Sequence, residues 1–156
     1  MARSTNRFLL LLALILFTPV ANVVGQGKPV EKDMPLVGTV WSLVQVDGLS
    51  IPDGSVRSAF ALRRGDVAAT DDSGNQLTGF YDTDGDSLHV HLVTTTLLAR
   101  LPSKFPTSER TGPSQSQLFV AALAATSQFN IHGSTLELLN SKGRMVARFH
   151  GSIKQN

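Results

Sequence analysis

Hydrophobic residues recur with period two along most of this chain, in short segments separated by turn residues. In the segment Leu88–Val93 (LHVHLV), three apolar residues share one side of a strand, and His89 and His91 share the other. A second such segment, Leu77–Tyr81, precedes it, and Asp82–Asp86 (DTDGD) lies between them. Aspartate followed by glycine favours a tight turn, because glycine tolerates positive φ. The pattern predicts a β-hairpin within an antiparallel sheet.

Other segments predict further strands. Thr39–Val46 (TVWSLVQV) is rich in β-branched and aromatic residues, which favour strands. Its apolar residues occupy both faces, with Trp41 and Leu43 on one and Val46 on the other, which predicts a strand covered on both sides. The same reasoning predicts shorter strands in five places: Val56–Leu62, Asp66–Thr70, and the closing strands around Phe129, Leu136 and Phe149.

One segment changes to helical spacing. Ser114 and Gln117 fit a capping box at its start, and Phe119 and Leu123 belong to one apolar face. Before it, Leu101–Pro113 contains three prolines and predicts a long surface loop. About seven or eight strands with one helix predict an α+β fold that is mostly antiparallel β.

The N-terminus has the three-part pattern of an export signal. Arginines precede the apolar run Phe8–Phe17, and Val23 and Gly25 are small enough for the −3 and −1 positions of a cleavage site. The run is shorter than the roughly 20 residues of a membrane-spanning helix. We therefore expect residues 1–25 to be a signal peptide cleaved after Gly25, with a retained membrane anchor as the alternative.

Removing the leader changes the charge of the chain. Without Arg3 and Arg7, twelve basic residues balance twelve acidic ones, so no basic surplus predicts a nucleic-acid partner. The remaining chain suffices for one domain. We expect a polar linker at 26–35, the domain at 36–151 and a tail at 152–156. The mature protein is expected to be periplasmic or secreted, without stable membrane insertion after cleavage.

Two segments raise the question of metal binding. His89 and His91 share a strand face, but zinc needs a third or fourth ligand. Asp82–Asp86 has glycine at its fourth position, whereas an EF-hand needs it at the sixth. We expect two solvent-facing histidines and a hairpin turn, and no metal site, although the sequence leaves open whether the two histidines bind a metal.

No pattern in the sequence predicts catalysis. There is no Gly-x-Ser-x-Gly elbow, and no two carboxylates lie in apolar sequence surroundings that would suit acid catalysis. The chain contains no cysteine, which excludes disulfides and thiolate chemistry. We therefore expect no enzymatic activity, no catalytic residues and no cofactor.

Four stretches together resemble one family. Residues 36–43 (LVGTVWSL) are similar to its opening Gly-Thr-x-Trp-x-Leu strand, and residues 73–81 (SGNQLTGFY) to its Gly-Cys-Asn-x-Phe-x-Gly-x-Tyr signature. Residues 95–100 (TTLLAR) are similar to its Thr-Thr-x-Met-Ala-Cys stretch, and residues 119–149 to its closing helix and strands. In this order, they resemble the META domain, also called the HslJ-like domain, over residues 36–149.

The resemblance implies structural roles for the matching residues. Asn75 is expected to satisfy turn amides, and Gly79 to permit a bulge or a close backbone approach. The family's two cysteine positions are Gly74 and Arg100 here, so the resemblance carries over no disulfide or redox role. The matching positions interpreted as structural are Trp41, Asn75, Gly79, Tyr81, Phe119, Leu123 and Gly133.

The resemblance also implies a fold and a functional setting. It implies a strongly curved, barrel-like sheet with the helix packed on it. Family members are exported or membrane-anchored, are linked to stress, drug tolerance or virulence, and have no established catalytic residues. We expect a monomeric, non-enzymatic exported protein that acts in envelope stress or drug tolerance, or binds a partner. The alternatives are a small-ligand or lipid carrier using the barrel interior, and a secreted hydrolase inhibitor using Leu101–Pro113.

Overall fold

The computed structural model describes residues 32–96 and 112–153. These residues contain nine strands and one helix, joined by turns and loops. The predicted signal peptide, most of the predicted linker and residues 97–111 lie outside the described residues. In chain order the elements are β1 (Val40–Val46), β2 (Leu49–Ser50), β3 (Ala59–Arg63), β4 (Asp66–Thr70), β5 (Gln76–Asp84), β6 (Ser87–Thr96), α1 (Gln115–Ala124), β7 (Gln128–His132), β8 (Thr135–Leu139) and β9 (Met145–Ser152).

The strands form one antiparallel sheet that closes on itself. Their order is β2-β1-β3-β4-β5-β6-β7-β8-β9, and β1 also pairs with β9, from Val40 opposite Ser152 to Val46 opposite Ala147. Eight strands therefore form a barrel, and the two-residue β2 is a hairpin extension of β1. This confirms the predicted fold class, a mostly antiparallel α+β fold with a barrel-like sheet and one packed helix.

Side chains fill the barrel interior. The Phe149 ring lies edge-on to Phe60 of β3, with ring centroids 5.0 Å apart, and 6.3 Å from the Phe119 ring of α1. All three rings are inaccessible to solvent, as is Trp41. The other large, fully buried side chains are Leu43, Val46, Leu62, Val67, Leu88, Leu123, Leu136 and Leu138.

The helix packs where two strands diverge. The β6–β7 ladder pairs a single position, Ser87 with Gln128, and α1 packs against β1, β6 and β9. The predicted capping box is confirmed, because Gln117 N donates to Ser114 Oγ and Ser114 N donates to Gln117 Oε1. Within the described part of the chain, no helix combines the length and apolar character needed to cross a membrane.

A bulge changes the predicted faces of β1. The register with β9 shifts between Leu43 and Gln45, so the alternation of side chains shifts by one residue there. Val46 consequently lies in the interior with Trp41, and Val44 is only partly buried. The prediction that Val46 lies opposite Trp41 is wrong, because the sequence alone does not reveal the bulge.

The predicted hairpin forms with a shorter turn. Both strands are longer than predicted, since β5 continues through Asp84 and β6 begins at Ser87, leaving Gly85-Asp86 as the connection. Gly85 has the positive φ of 55° that the turn requires. His89 and His91 point outward, as predicted.

Gly79 lies where β5 and β6 approach too closely for any side chain. The β5–β6 register shifts between Thr78 and Gly79. A Cβ atom on Gly79 would overlap the carbonyl oxygen of His91 and lie 2.9 Å from Leu92 Cα. These are backbone atoms, so they cannot yield without displacing β6.

We therefore expect Gly79→Ala to lower the free energy of unfolding by about 3 kcal/mol, because a Cβ must force the two backbones apart. Urea denaturation followed by fluorescence of Trp41, the single tryptophan of the sequence, measures this. Thr78→Ala, at the neighbouring exposed position of β5, is the matched control and should change the value by less than about 1 kcal/mol. Equal stability of the two variants would contradict the close-approach argument.

Candidate functional site

The family-signature residues hold the barrel together at separate places. Trp41, Phe119 and Leu123 are core residues, and Trp41 Nε1 donates a hydrogen bond to the Leu36 carbonyl at 3.0 Å. Tyr81 packs partly buried against the core. These contacts stabilise the fold.

Gly133, at the β7–β8 turn, attaches the segment that precedes β1. Its N–H donates to Asp33 Oδ1 at 2.6 Å, and its carbonyl accepts from Met34 N at 2.8 Å. Gly133 is buried and has a positive φ of 58°, a conformation that side chains disfavour. The described end of the predicted linker is thus bound to the barrel.

A buried carboxylate organises the loop between β4 and β5. Asp71 Oδ1 accepts hydrogen bonds from Ser73 N at 2.9 Å and Asn75 N at 2.8 Å, and Oδ2 accepts from Asn75 Nδ2 at 2.7 Å. Asp71 therefore satisfies two amides of this turn, and the Asn75 side chain donates to the same carboxylate.

The same loop binds the first turn of α1. The Ser116 hydroxyl donates to Asp72 Oδ1, and Gln115 Nε2 donates to Ser58 Oγ at 3.3 Å. Ser58 Oγ also accepts from Asp72 N at 3.1 Å. The loop, β3 and the helix are thereby joined by polar contacts at one end of the barrel.

The electrostatics of this loop suit a structural role. Burial of Asp71 raises its pKa, but hydrogen bonds from the Asn75 side chain and backbone and from the Ser73 amide together outweigh burial and lower the pKa below its ordinary value. An acid catalyst at neutral pH needs the opposite shift. At neutral pH Asp71 is therefore an ionised hydrogen-bond acceptor.

The outer face of β4, β5 and β6 carries two large apolar side chains. The strand alternation that turns Leu77 inward turns Phe80 outward, and its exposed fraction is 48%. Val93 of β6 lies on the same side of the sheet with an exposed fraction of 69%. The alternation of β5 could have identified Phe80 from the sequence, as an aromatic residue at an outward position, but we did not consider it.

An open groove of about 530 Å³ includes both side chains. Ala68 and Thr78 are short, so they leave a depression next to the larger Phe80 and Val93. The remaining residues that line it are Arg63, Asp66, Val67 and Gly79. We call this depression the Phe80 groove.

Histidine and aspartate lie beside the groove. The His91 ring stacks on Phe80, with centroids 4.7 Å apart and planes 22° apart, and His91 Nε2 lies 3.5 Å from Asp82 Oδ2. His89 is the direct cross-strand partner of Asp82. As placed, the described residues include no group of three histidine or acidic side chains arranged to hold a metal ion.

A smaller cleft of about 160 Å³ lies against the second half of α1. Leu118 and Ala122 of the helix face Val46 and Val146 across it. Arg144 and Asp47 also line it and form an exposed ion pair of 3.3 Å.

The fold and its outer groove define a small closed β-barrel domain with one helix packed against it. The chain belongs to the META domain family, whose family model matches residues 34–152. A crystal structure of a DUF4847 family protein from Bacteroides vulgatus is similar in fold, with a TM-score of 0.51 and 13% identity. The similarity covers 77% of this chain and 96% of that chain. No curated protein matches the chain.

The Asp71 network predicts a pH-dependent stability. Because folding lowers the pKa of Asp71 from its ordinary value of 3.8, its contribution is complete above that value and is lost as pH falls through the folded pKa. Asp71→Asn should therefore reduce the free energy of unfolding by about 2 kcal/mol at pH 7, and the difference should shrink below about pH 4.

Urea denaturation between pH 7 and pH 3 measures this difference. Asp84→Asn, which replaces an exposed carboxylate at the end of β5, is the control and should change stability by less than about 0.5 kcal/mol. A difference between wild type and Asp71→Asn that stays constant over this pH range would refute the role of the Asp71 charge.

Proposed function

We propose that this chain is a non-enzymatic, exported META-domain protein that binds a protein partner through the Phe80 groove. The observation that carries the proposal is the exposure of Phe80 and Val93 together at one groove. Neighbouring exposed apolar side chains with polar groups around them are typical of protein interfaces, and aromatic residues often dominate their binding energy. Arg63 and Asp66 supply charges of both signs for orienting a partner.

The groove is suited to a folded surface or an extended peptide. It lies on paired strands, so its floor is rigid and needs little ordering on binding. The stacking of His91 on Phe80 further limits the rotation of the aromatic ring. A fixed aromatic anchor beside small residues can receive one or two apolar side chains of a partner.

The filled interior speaks against the small-ligand carrier. Phe149 contacts both Phe60 and Phe119 inside the barrel, and Trp41 is fully buried there. A carrier of this architecture needs interior space, since an eight-stranded barrel either fills with its own side chains or holds one small ligand. The hydrolase-inhibitor alternative depends on a loop that lies almost wholly outside the described residues.

Two observations support the non-enzymatic part of the proposal. The buried carboxylate Asp71 is held in its ionised form by its hydrogen bonds. The His91–Asp82 pair lies on an open strand face, where water is not excluded from a reacting group. We place the partner-binding role in envelope stress or drug tolerance, the setting that the family resemblance implies, and the export pattern of the leader supports that compartment.

Photo-crosslinking in the native cell tests the groove. A benzoylphenylalanine at Val93 should give a discrete crosslinked protein, whereas the same residue at Val56 should not. The two valines are matched, with exposed fractions of 69% and 70%, but Val56 lies outside the groove. Adding Phe80→Ser to the Val93 variant should reduce the yield at least about tenfold, because the aromatic anchor is removed.

Three outcomes would contradict the proposal. Equal crosslinking from positions 93 and 56 would show that the groove has no special role. An unchanged yield after Phe80→Ser would exclude the aromatic anchor. Turnover of a substrate by the purified protein, abolished by a single substitution, would overturn the non-enzymatic assignment.

A further inference from the structure

Three potential metal ligands share the outer face of the β5–β6 hairpin. His89 and His91 alternate with buried residues of β6, so both imidazoles point away from the core. Asp82 of β5 lies directly opposite His89, and its carboxylate reaches diagonally toward His91. All three side chains are exposed, so a cation can reach them from solvent.

Two of these groups already have the separation of zinc ligands. Nitrogen and oxygen atoms bind zinc at about 2.0–2.2 Å, so two of them on a tetrahedral ion lie about 3.3–3.5 Å apart. His91 Nε2 and Asp82 Oδ2 lie 3.5 Å apart. The same separation is long for a hydrogen bond, which prefers 2.7–3.2 Å. The separation of these two atoms is therefore compatible with an ion bound between them.

The aromatic neighbour fixes one ligand. Phe80 lies directly opposite His91, and the two rings stack. Ligating histidines generally need a neighbour that fixes the ring orientation, and stacking supplies such a constraint here. The Asp84 carboxylate, exposed on the same face of β5 as Asp82, adds negative charge that attracts a cation.

A change of rotamer would bring His89 to the same ion. Alternate residues on one strand face lie about 6.6–7 Å apart, a distance that two imidazoles can span when both lean toward one ion. No three such groups meet in the present arrangement of the described residues. Exposed side chains change rotamer within nanoseconds, so this step presents no kinetic obstacle.

We propose that Asp82, His89 and His91 bind one zinc ion, with water as the fourth ligand. Two imidazoles and one carboxylate are ligands that zinc accepts, and three protein ligands with an open position form a common zinc geometry. The zinc and partner-binding proposals can fail separately, because none of the three zinc ligands lines the Phe80 groove, although His91 stacks on Phe80.

Isothermal titration of the untagged protein with zinc chloride tests the site. Wild type should bind one equivalent of zinc, and His89→Gln, His91→Gln and Asp82→Asn should each weaken binding at least about tenfold. The control is the double variant His132→Gln/His150→Gln, which replaces the two remaining histidines of the sequence, both exposed. It should bind zinc as wild type does.

Nuclear magnetic resonance of the imidazole nitrogens provides a second measurement. Zinc should shift the signals of His89 and His91 and leave those of His132 and His150 unchanged. Matching circular dichroism and urea midpoints establish that each variant is folded. Absence of saturable binding by wild type, retention of wild-type affinity in any of the three ligand variants, or loss of binding in the control would overturn the proposal.

Discussion

Pairing of β1 with β9 closes the sheet into a barrel. The width of the enclosed interior then limits what the barrel can hold. An eight-stranded barrel is only wide enough for side chains or one small ligand. Here Trp41, Phe60 and Phe149 occupy that space, so the interior contributes stability and leaves no room for a cargo. The outer face is where we propose recognition, and the strand alternation determines which residues are presented there.

The helix compensates for incomplete pairing in the barrel wall. Because β6 and β7 share a single paired position, their neighbouring edges diverge, and α1 covers the interior there with Phe119 and Leu123. The loop organised by Asp71 binds the first turn of that helix. The segment from Asp71 to Gly79, which overlaps the family signature, therefore has two structural roles: Asp72 binds the first turn of the helix, and Gly79 allows β5 and β6 to approach each other closely.

The local patterns were predictable from the sequence, and the long-range contacts were not. The capping box at Ser114 and the outward histidines depend on residues a few positions apart, so both predictions are confirmed. The β1 bulge, in contrast, depends on how β9 pairs with it. In the Asp71 network, a turn brings backbone amides to one carboxylate, and the same loop contacts a helix that is distant in sequence. Neither kind of contact leaves a periodic signal in the sequence. The exposure of Phe80 followed from strand parity once the inward position of Leu77 was known.

Phe80 connects the two proposed sites on the outer face. One face of its ring stacks on His91, while its exposed surface contributes to the groove. An ion that fixes His91 would therefore also restrict Phe80, which lowers the entropy cost of seating a partner on that ring. Coupling between two binding events is reciprocal. A partner that orders Phe80 would therefore raise the affinity of the histidine site for zinc by the same factor as zinc raises the affinity for the partner. The two proposed binding events would therefore be coupled through one aromatic side chain on the outer face of the barrel.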